Sequence, residues 1–243
     1  MNKRETFKEQ DFFDKEVIRN EQSIADFSRI ASDPATTPDH RRQLLCSLFL
    51  RQVEQLILRY SRGESVSSLA VWFPQIVGAL AAYHKEAGHS PYGFEELDSY
   101  VFALWLVSLA ILLDVEESCL RDLLREINNE GRDALYERLV SLRVPGRPQP
   151  KTLLYPKPYQ PLLEAHDATG EQRDQLIGTF LKNYYKGMKN AYWHDSHLGE
   201  DAGFFGYWCF ELAAFVKVLD IDDHTFADNI FYPIDLVRDG SQR

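Results

Sequence analysis

FEELDSYVFALWLVSLAILL, residues 94–113, is the stretch that decides the fold class. Its apolar part, Val101 to Leu113, is closed by Asp98 on one side and Asp114 on the other, well short of the ~20 residues that a bilayer requires. Elsewhere apolar residues recur at intervals of three and four, and no long Val/Ile/Thr alternation marks a sheet. The pattern predicts an all-α fold with a helix over about 94–113 at its centre.

Working outward, a first helix is predicted over Arg4–Ala31, with Phe12, Ile18, Ile24 and Phe27 among its apolar positions. After the turn-like SDPATTP, Thr37 and Pro38 read as an N-cap and first helical residue, opening a helix to about Tyr60 that Gly63 ends. The next helix runs to about Glu86, with Pro74 starting or kinking it and Gly88 closing it. Shorter helices are expected near Glu117–Asn128 and Asp133–Leu142. Six of the eleven prolines lie between Arg143 and Pro161, which predicts a helix-free connector strapped across the surface. Thr169 and Gln172 have capping-box spacing and open a helix to about Trp193. A last one is expected over Gly203–Leu219. The reading is a multi-helix array of two closely packed subdomains, residues 1–142 and 162–243, joined by a Pro-rich connector at 143–161. The stops Leu113-Asp-Val-Glu-Glu117 and Leu219-Asp-Ile-Asp-Asp223, with Tyr83-His84 and Trp193-His194 before them, also raise a duplicated helical hairpin.

The net charge of −10 is unevenly placed. From His194 onward there are ten acids against three bases, whereas the first 193 residues carry 27 against 24. This balance disfavours direct nucleic-acid binding, which needs Lys and Arg on phosphates. It would instead speed encounter with a basic surface, or simply maintain solubility. Cys46, Cys119 and Cys209 sit in apolar helical patterns without ligand-like spacing and read as reduced core residues. MNKRETFKEQ has no apolar segment behind its basic residues, so a cytoplasmic protein without membrane association is expected.

The most pointed stretch is YWHDSHLGEDAGFFGYWCFELAAFVKVLDIDD, residues 192–223. His194 and His197 lie near Asp195, Glu200 and Asp201, yet the spacing matches no HExxH-like metal motif. A metal-dependent phosphohydrolase built on His166, Asp167, His194, Asp195 and Asp220 is one reading; a non-enzymatic acidic helical scaffold is another. Glu211 stands amid apolar residues, so its carboxylate needs a partner, for which His194, His197 and Lys217 are candidates in a structural ion pair. No GxSxG, no Cys with an adjacent His and no phosphate-cradling glycine loop is present, so neither a catalytic residue nor a cofactor is assigned. Tyr192, Trp193, Phe204, Phe205, Tyr207 and Trp208 read as core by default, with one or two suited to a protein interface.

On Trp193-His194-Asp195-Ser196-His197, the run Gly206-Tyr207-Trp208-Cys209-Phe210-Glu211-Leu212-Ala213-Ala214, the stop Leu219–Asp223 and Tyr232-Pro-Ile-Asp235, the chain resembles the PoNi family of immunity proteins. These neutralise PoNe-type DNase toxins delivered between competing bacteria, notably by type VI secretion. The resemblance implies an all-α protein without enzymatic activity whose partner is a cognate basic DNase. Asp195, Glu200, Asp201, Asp222, Asp223 and Asp228 are then the expected contacts for the nuclease's DNA groove, while His194, His197, Tyr207, Trp208, Phe210, Glu211, Tyr232 and Asp235 are expected to hold the motif's structure.

Overall fold

A computed structural model describes residues 3–88, 92–199 and 203–238. These form an all-α fold, with no strand among the described residues. In chain order the helices are α1 (Gln10–Ala31), α2 (Pro38–Arg62), α3 (Val66–Ala70), α4 (Phe73–Ala87), α5 (Leu97–Leu112), α6 (Glu117–Ile127), α7 (Ala134–Ser141), α8 (Pro156–Asp167), α9 (Gly170–Gly187), α10 (Phe210–Leu219) and α11 (Ile234–Arg238), with a 3-10 turn at Ser196–Leu198. The chain gathers into two compact units that interleave along the sequence: residues 1–91, 115–126 and 197–206 make one, and residues 92–114, 127–196 and 207–243 the other.

In the first unit α1 packs on α2 and α2 on α4. Phe13 and Val17 of α1, Phe49 and Val53 of α2, Phe73 and Leu80 of α4, and Phe204 and Phe205 are all buried. Local chemistry sets the boundaries of α2. The Thr37 hydroxyl accepts the His40 N–H at 3.4 Å, Pro38 needs no hydrogen bond in the first turn, and Gly63 closes the helix at φ 106°. Gly88 closes α4 at φ 85° in the same way, and Pro74 lies in that helix's first turn. The start of α1 is later than Arg4, because Glu5 Oε2 accepts the N–H groups of Phe7 (2.7 Å) and Lys8 (3.2 Å) and holds them in a separate turn. Its buried face also differs from the expected one: Ile18 is 65% exposed. By length and composition alone Val66–Ala87 is apolar enough to cross a bilayer; it is broken at Val71-Trp72 into α3 and α4.

The second unit is built on α5. Every residue from Tyr100 to Leu112 is buried, and α7 and α10 pack on this helix. A fully buried large apolar side chain contributes roughly 1.5–3 kcal/mol, so this one helix supplies much of the unit's driving force. Trp105 meets Trp193 and Phe210 at ring distances of 5.6 and 5.9 Å. Both α5 and α10 stop at a Leu-Asp step whose Asp is left-handed, with φ 51° at Asp114 and 50° at Asp220. The hairpin correspondence goes no further, because Tyr83-His84 lies inside α4 whereas Trp193-His194 lies beyond the end of α9.

The Pro-rich connector is free of helix only up to Tyr155, for α8 begins at Pro156. Prolines 156 and 158 occupy a first turn where the missing N–H has no partner to lose, and Pro161 follows within the helix. Buried Asp133 ties the extended part down. Its Oδ1 accepts the Tyr136 N–H as the N-cap of α7 and the Tyr100 hydroxyl, both at 2.9 Å, and its Oδ2 accepts the Leu154 N–H at 2.8 Å. Arg147 of the connector adds a bidentate pair to buried Glu137 at 2.8 and 2.9 Å. Asp133→Ala removes a helix cap (~1 kcal/mol) and leaves the buried Tyr100 hydroxyl and the part-buried Leu154 N–H unserved (~1–3 kcal/mol each). Urea denaturation should therefore show a loss of at least about 3 kcal/mol; a loss below about 1 kcal/mol would contradict the tether.

Candidate functional site

From Gly203 to Cys209 the motif run is irregular chain, not the expected helix, which begins only at Phe210. Gly206, at φ 117°, takes a backbone conformation that other residues rarely adopt. The run's backbone groups are served from outside it: Phe205 C=O accepts the Ser61 hydroxyl (2.6 Å), Trp208 C=O accepts the Tyr184 hydroxyl (2.8 Å), and the Cys209 N–H donates to Phe231 C=O (2.9 Å). Tyr207, Trp208, Cys209 and Phe210 are all buried. Cys46 and Cys119 are half-buried, and all three thiols are free.

Glu211 is fully buried. Its partner is a phenol, not a cation: Oε1 accepts the Tyr159 hydroxyl at 2.7 Å. The Lys217 ammonium donates instead to the carbonyls of Leu112 (2.6 Å) and Leu236 (3.3 Å), and His194 turns to Asp195, so the expected ion pair is replaced by a hydrogen-bonded carboxyl. Glu211 Oε2 is buried without a hydrogen bond of ordinary geometry. Burial pushes the Glu211 carboxyl up to about 7, against which the hydrogen bonds from its own backbone, Tyr159 and the Trp105 indole act only partially.

This has a consequence for stability. Below about pH 4.5 the carboxyl is protonated in both folded and unfolded chains. Between about 4.5 and 7 the unfolded chain gives up a proton that the folded chain retains, so stability falls as pH rises, and above that range the folded state buries a charge. The full effect is on the order of 3 kcal/mol. Glu211→Gln cannot titrate. Between pH 5 and pH 8 the native protein should lose that much more stability in urea denaturation than the Gln variant does, and parallel profiles would exclude a buried, neutral carboxyl.

The other expected site residues separate by environment. His194 stacks on Tyr185 at 4.1 Å, and its Nδ1 lies 3.3 Å from Asp195. Asp195 is exposed, left-handed at φ 62°, and accepts the Tyr185 hydroxyl at 2.6 Å. His197 has different neighbours, its ring lying 4.8 Å from Phe7 and 6.1 Å from Phe204. In the Leu219–Asp223 stop, Asp220 caps α10 and points the chain back, the Ile221 N–H reaching Val216 C=O at 3.1 Å. Asp222 is 76% exposed; the His224 backbone N–H and then its ring hold its carboxyl below the usual range. Asp223 is only 14% exposed, because Tyr232 and Arg238 reach it at 3.1 and 3.0 Å. Asp228 is exposed, Tyr232 is buried, and Asp235 lies half-buried in the first turn of α11. Glu200 and Asp201 lie outside the described residues.

Sequence reasoning missed Tyr159, Tyr185 and Arg238 as the groups that engage the motif's acids, since their partners are distant in the chain. Of the aromatics expected in the core, Trp193, Phe204, Phe205, Tyr207 and Trp208 are buried, whereas Tyr192 is 49% exposed; Val218 and Ile230, beside the acids in sequence, are exposed apolar residues too. His166 bonds Asp167 at 2.7 Å, and Arg138 reaches the same carboxylate at 3.1 Å. Among the described residues no three His, Cys, Asp or Glu side chains gather to hold a metal ion, so the set required by the phosphohydrolase reading is not assembled.

No curated protein matches the sequence. The fold is similar to the crystal structure of protein PA2201 from Pseudomonas aeruginosa, at a TM-score of 0.72 and 16% identity, covering 91% of this chain and 86% of that one. At that identity the likeness concerns the fold alone. Two family models match the sequence itself: PoNe immunity protein (PoNi), N-terminal, over residues 1–125, and PoNe immunity proteins (PoNi), C-terminal, over residues 131–236. Together they span nearly the whole chain, which therefore belongs to the PoNi family of PoNe immunity proteins.

Proposed function

We propose that this chain binds and neutralises a cognate antibacterial DNase toxin, in the cytoplasm of the cell that makes both, and acts by binding rather than by catalysis. Family membership implies a PoNe nuclease as the partner; delivery by type VI or a similar contact-dependent secretion system is part of the proposal. The observation that carries the mode of action is the division among the C-terminal acids. Glu211 is committed to the core and Asp223 to a local latch, whereas Asp195, Asp222 and Asp228 present their carboxylates at the surface. A DNase must offer a basic groove to phosphate, and exposed carboxylates compete for that groove. Held below its usual pKa, Asp222 stays ionised at any physiological pH.

Co-expression with a candidate PoNe nuclease from the adjoining reading frame tests the activity: cells should survive with this protein and die without it, and equal killing would refute the reading. For the surface, Asp222→Lys combined with Asp228→Lys should weaken binding about tenfold or more at low salt, mostly by slowing association. Both side chains are exposed, so helicity should be unchanged. Unaltered affinity in the folded double variant would move the contact elsewhere.

A further inference from the structure

In the first compact unit a cavity of about 280 Å³ opens beside α1 and α2, with Glu16, Arg19, Asn20, Arg51 and Glu54 in its wall. Asn20 is 5% exposed. Its Nδ2 donates to the Arg51 carbonyl at 2.8 Å and to Gln55 Oε1 at 2.9 Å. That orientation is set by its partners: a carbonyl only accepts, and Gln55 Nε2 is already directed to Val17 C=O at 3.3 Å. Asn20 Oδ1 is thereby turned away from both and is buried without a hydrogen-bond partner. Buried amide oxygens in native proteins nearly always have a donor.

The charged groups around it are graded by depth. The Glu54 and Glu16 side chains are 9% and 12% exposed, whereas Arg51 and Arg19, which pair with them at 2.8 and 2.6 Å, are 43% and 49% exposed. Acceptors thus form the inner wall and guanidinium groups the rim. An apolar occupant would seal the Asn20 oxygen away unsatisfied, and an anion, which only accepts, could not give that oxygen a donor. The volume is at the lower edge of small-molecule pockets and suits the head of one side chain.

We propose that this cavity receives the guanidinium group of an arginine presented by a partner protein, with Asn20 Oδ1 and the Glu16 and Glu54 carboxylates accepting its N–H groups. A planar head with five donors matches several acceptors at once, and each carboxylate has acceptor sites beyond the one its own arginine takes. The inference does not depend on the acidic-loop reading, since it concerns the other compact unit and its test needs no toxin.

The probe is N-acetyl-arginine methylamide, with the uncharged N-acetyl-citrulline methylamide as control, titrated into the full chain and followed by NMR. The arginine probe should shift the Asn20 side-chain amide and the Ser23 and Gly203 backbone amides saturably, with a millimolar dissociation constant appropriate to a single side chain. The citrulline probe should bind at least tenfold more weakly. Ser23→Trp, which fills the cavity from its rim, should abolish the shifts, and Glu16→Gln should weaken binding several-fold, so a Trp variant that fails to fold leaves the test intact. Absence of saturable shifts, equal binding of the two probes, or shifts that persist in a folded Ser23→Trp protein would overturn the proposal.

Discussion

Burial of one carboxyl among aromatic rings is the constraint that organises the second compact unit. Glu211 has no exposure, and its partner is the Tyr159 hydroxyl at 2.7 Å. A carboxyl so placed is tolerated only when hydrogen-bonded and largely neutral, which restricts where α8 and α10 lie in register. Tyr184 of α9 directs its hydroxyl to Trp208 C=O, and Tyr100 of α5 directs its own to Asp133. Phenol groups from three helices thus each serve one acceptor of an otherwise apolar core: Glu211 Oε1, the Trp208 carbonyl and Asp133 Oδ1.

The consequence for function is a sorting of acids by role. Counted from the sequence, the last fifty residues look like one acidic field; in the fold, Glu211 builds the interior, Asp223 bonds Tyr232 and Arg238, Asp220 turns the chain, and Asp222 and Asp228 remain at the surface. The recognisable motifs therefore divide between the interior, where Tyr207, Trp208, Phe210 and Glu211 lie, and the surface, where Asp195 and Asp222 lie. On the proposed function, the surface acids are left to meet the nuclease while Tyr207, Trp208, Phe210 and Glu211 hold the fold.

Where local chemistry decides structure, the sequence was legible. The Thr37-Pro38 start, the Gly63 and Gly88 stops and the buried helix from Tyr100 to Leu112 all follow from capping, backbone freedom and unbroken apolarity. Reading failed where distant groups override local pattern. Apolar spacing continues past Gly187, yet α9 stops there, close against Pro158; a Cβ on Gly187 would lie 3.2 Å from that ring. Thr169 has the residue type of a capping box but makes no side-chain cap. The irregular run before Phe210 is met by hydroxyls of Ser61 and Tyr184, and the phenol that meets Glu211 lies 52 positions away in the chain. No windowed pattern contains such partners.

Hydrogen exchange of the chain alone and in complex with its nuclease tests the central claim most directly, because it locates the contact without altering a residue. The account predicts slowed exchange across residues 218–230, centred on Asp222 and Asp228, with the amides of α10 around Glu211 already slow in the free protein and little changed. Unchanged exchange throughout 218–230 in a saturated complex would contradict it.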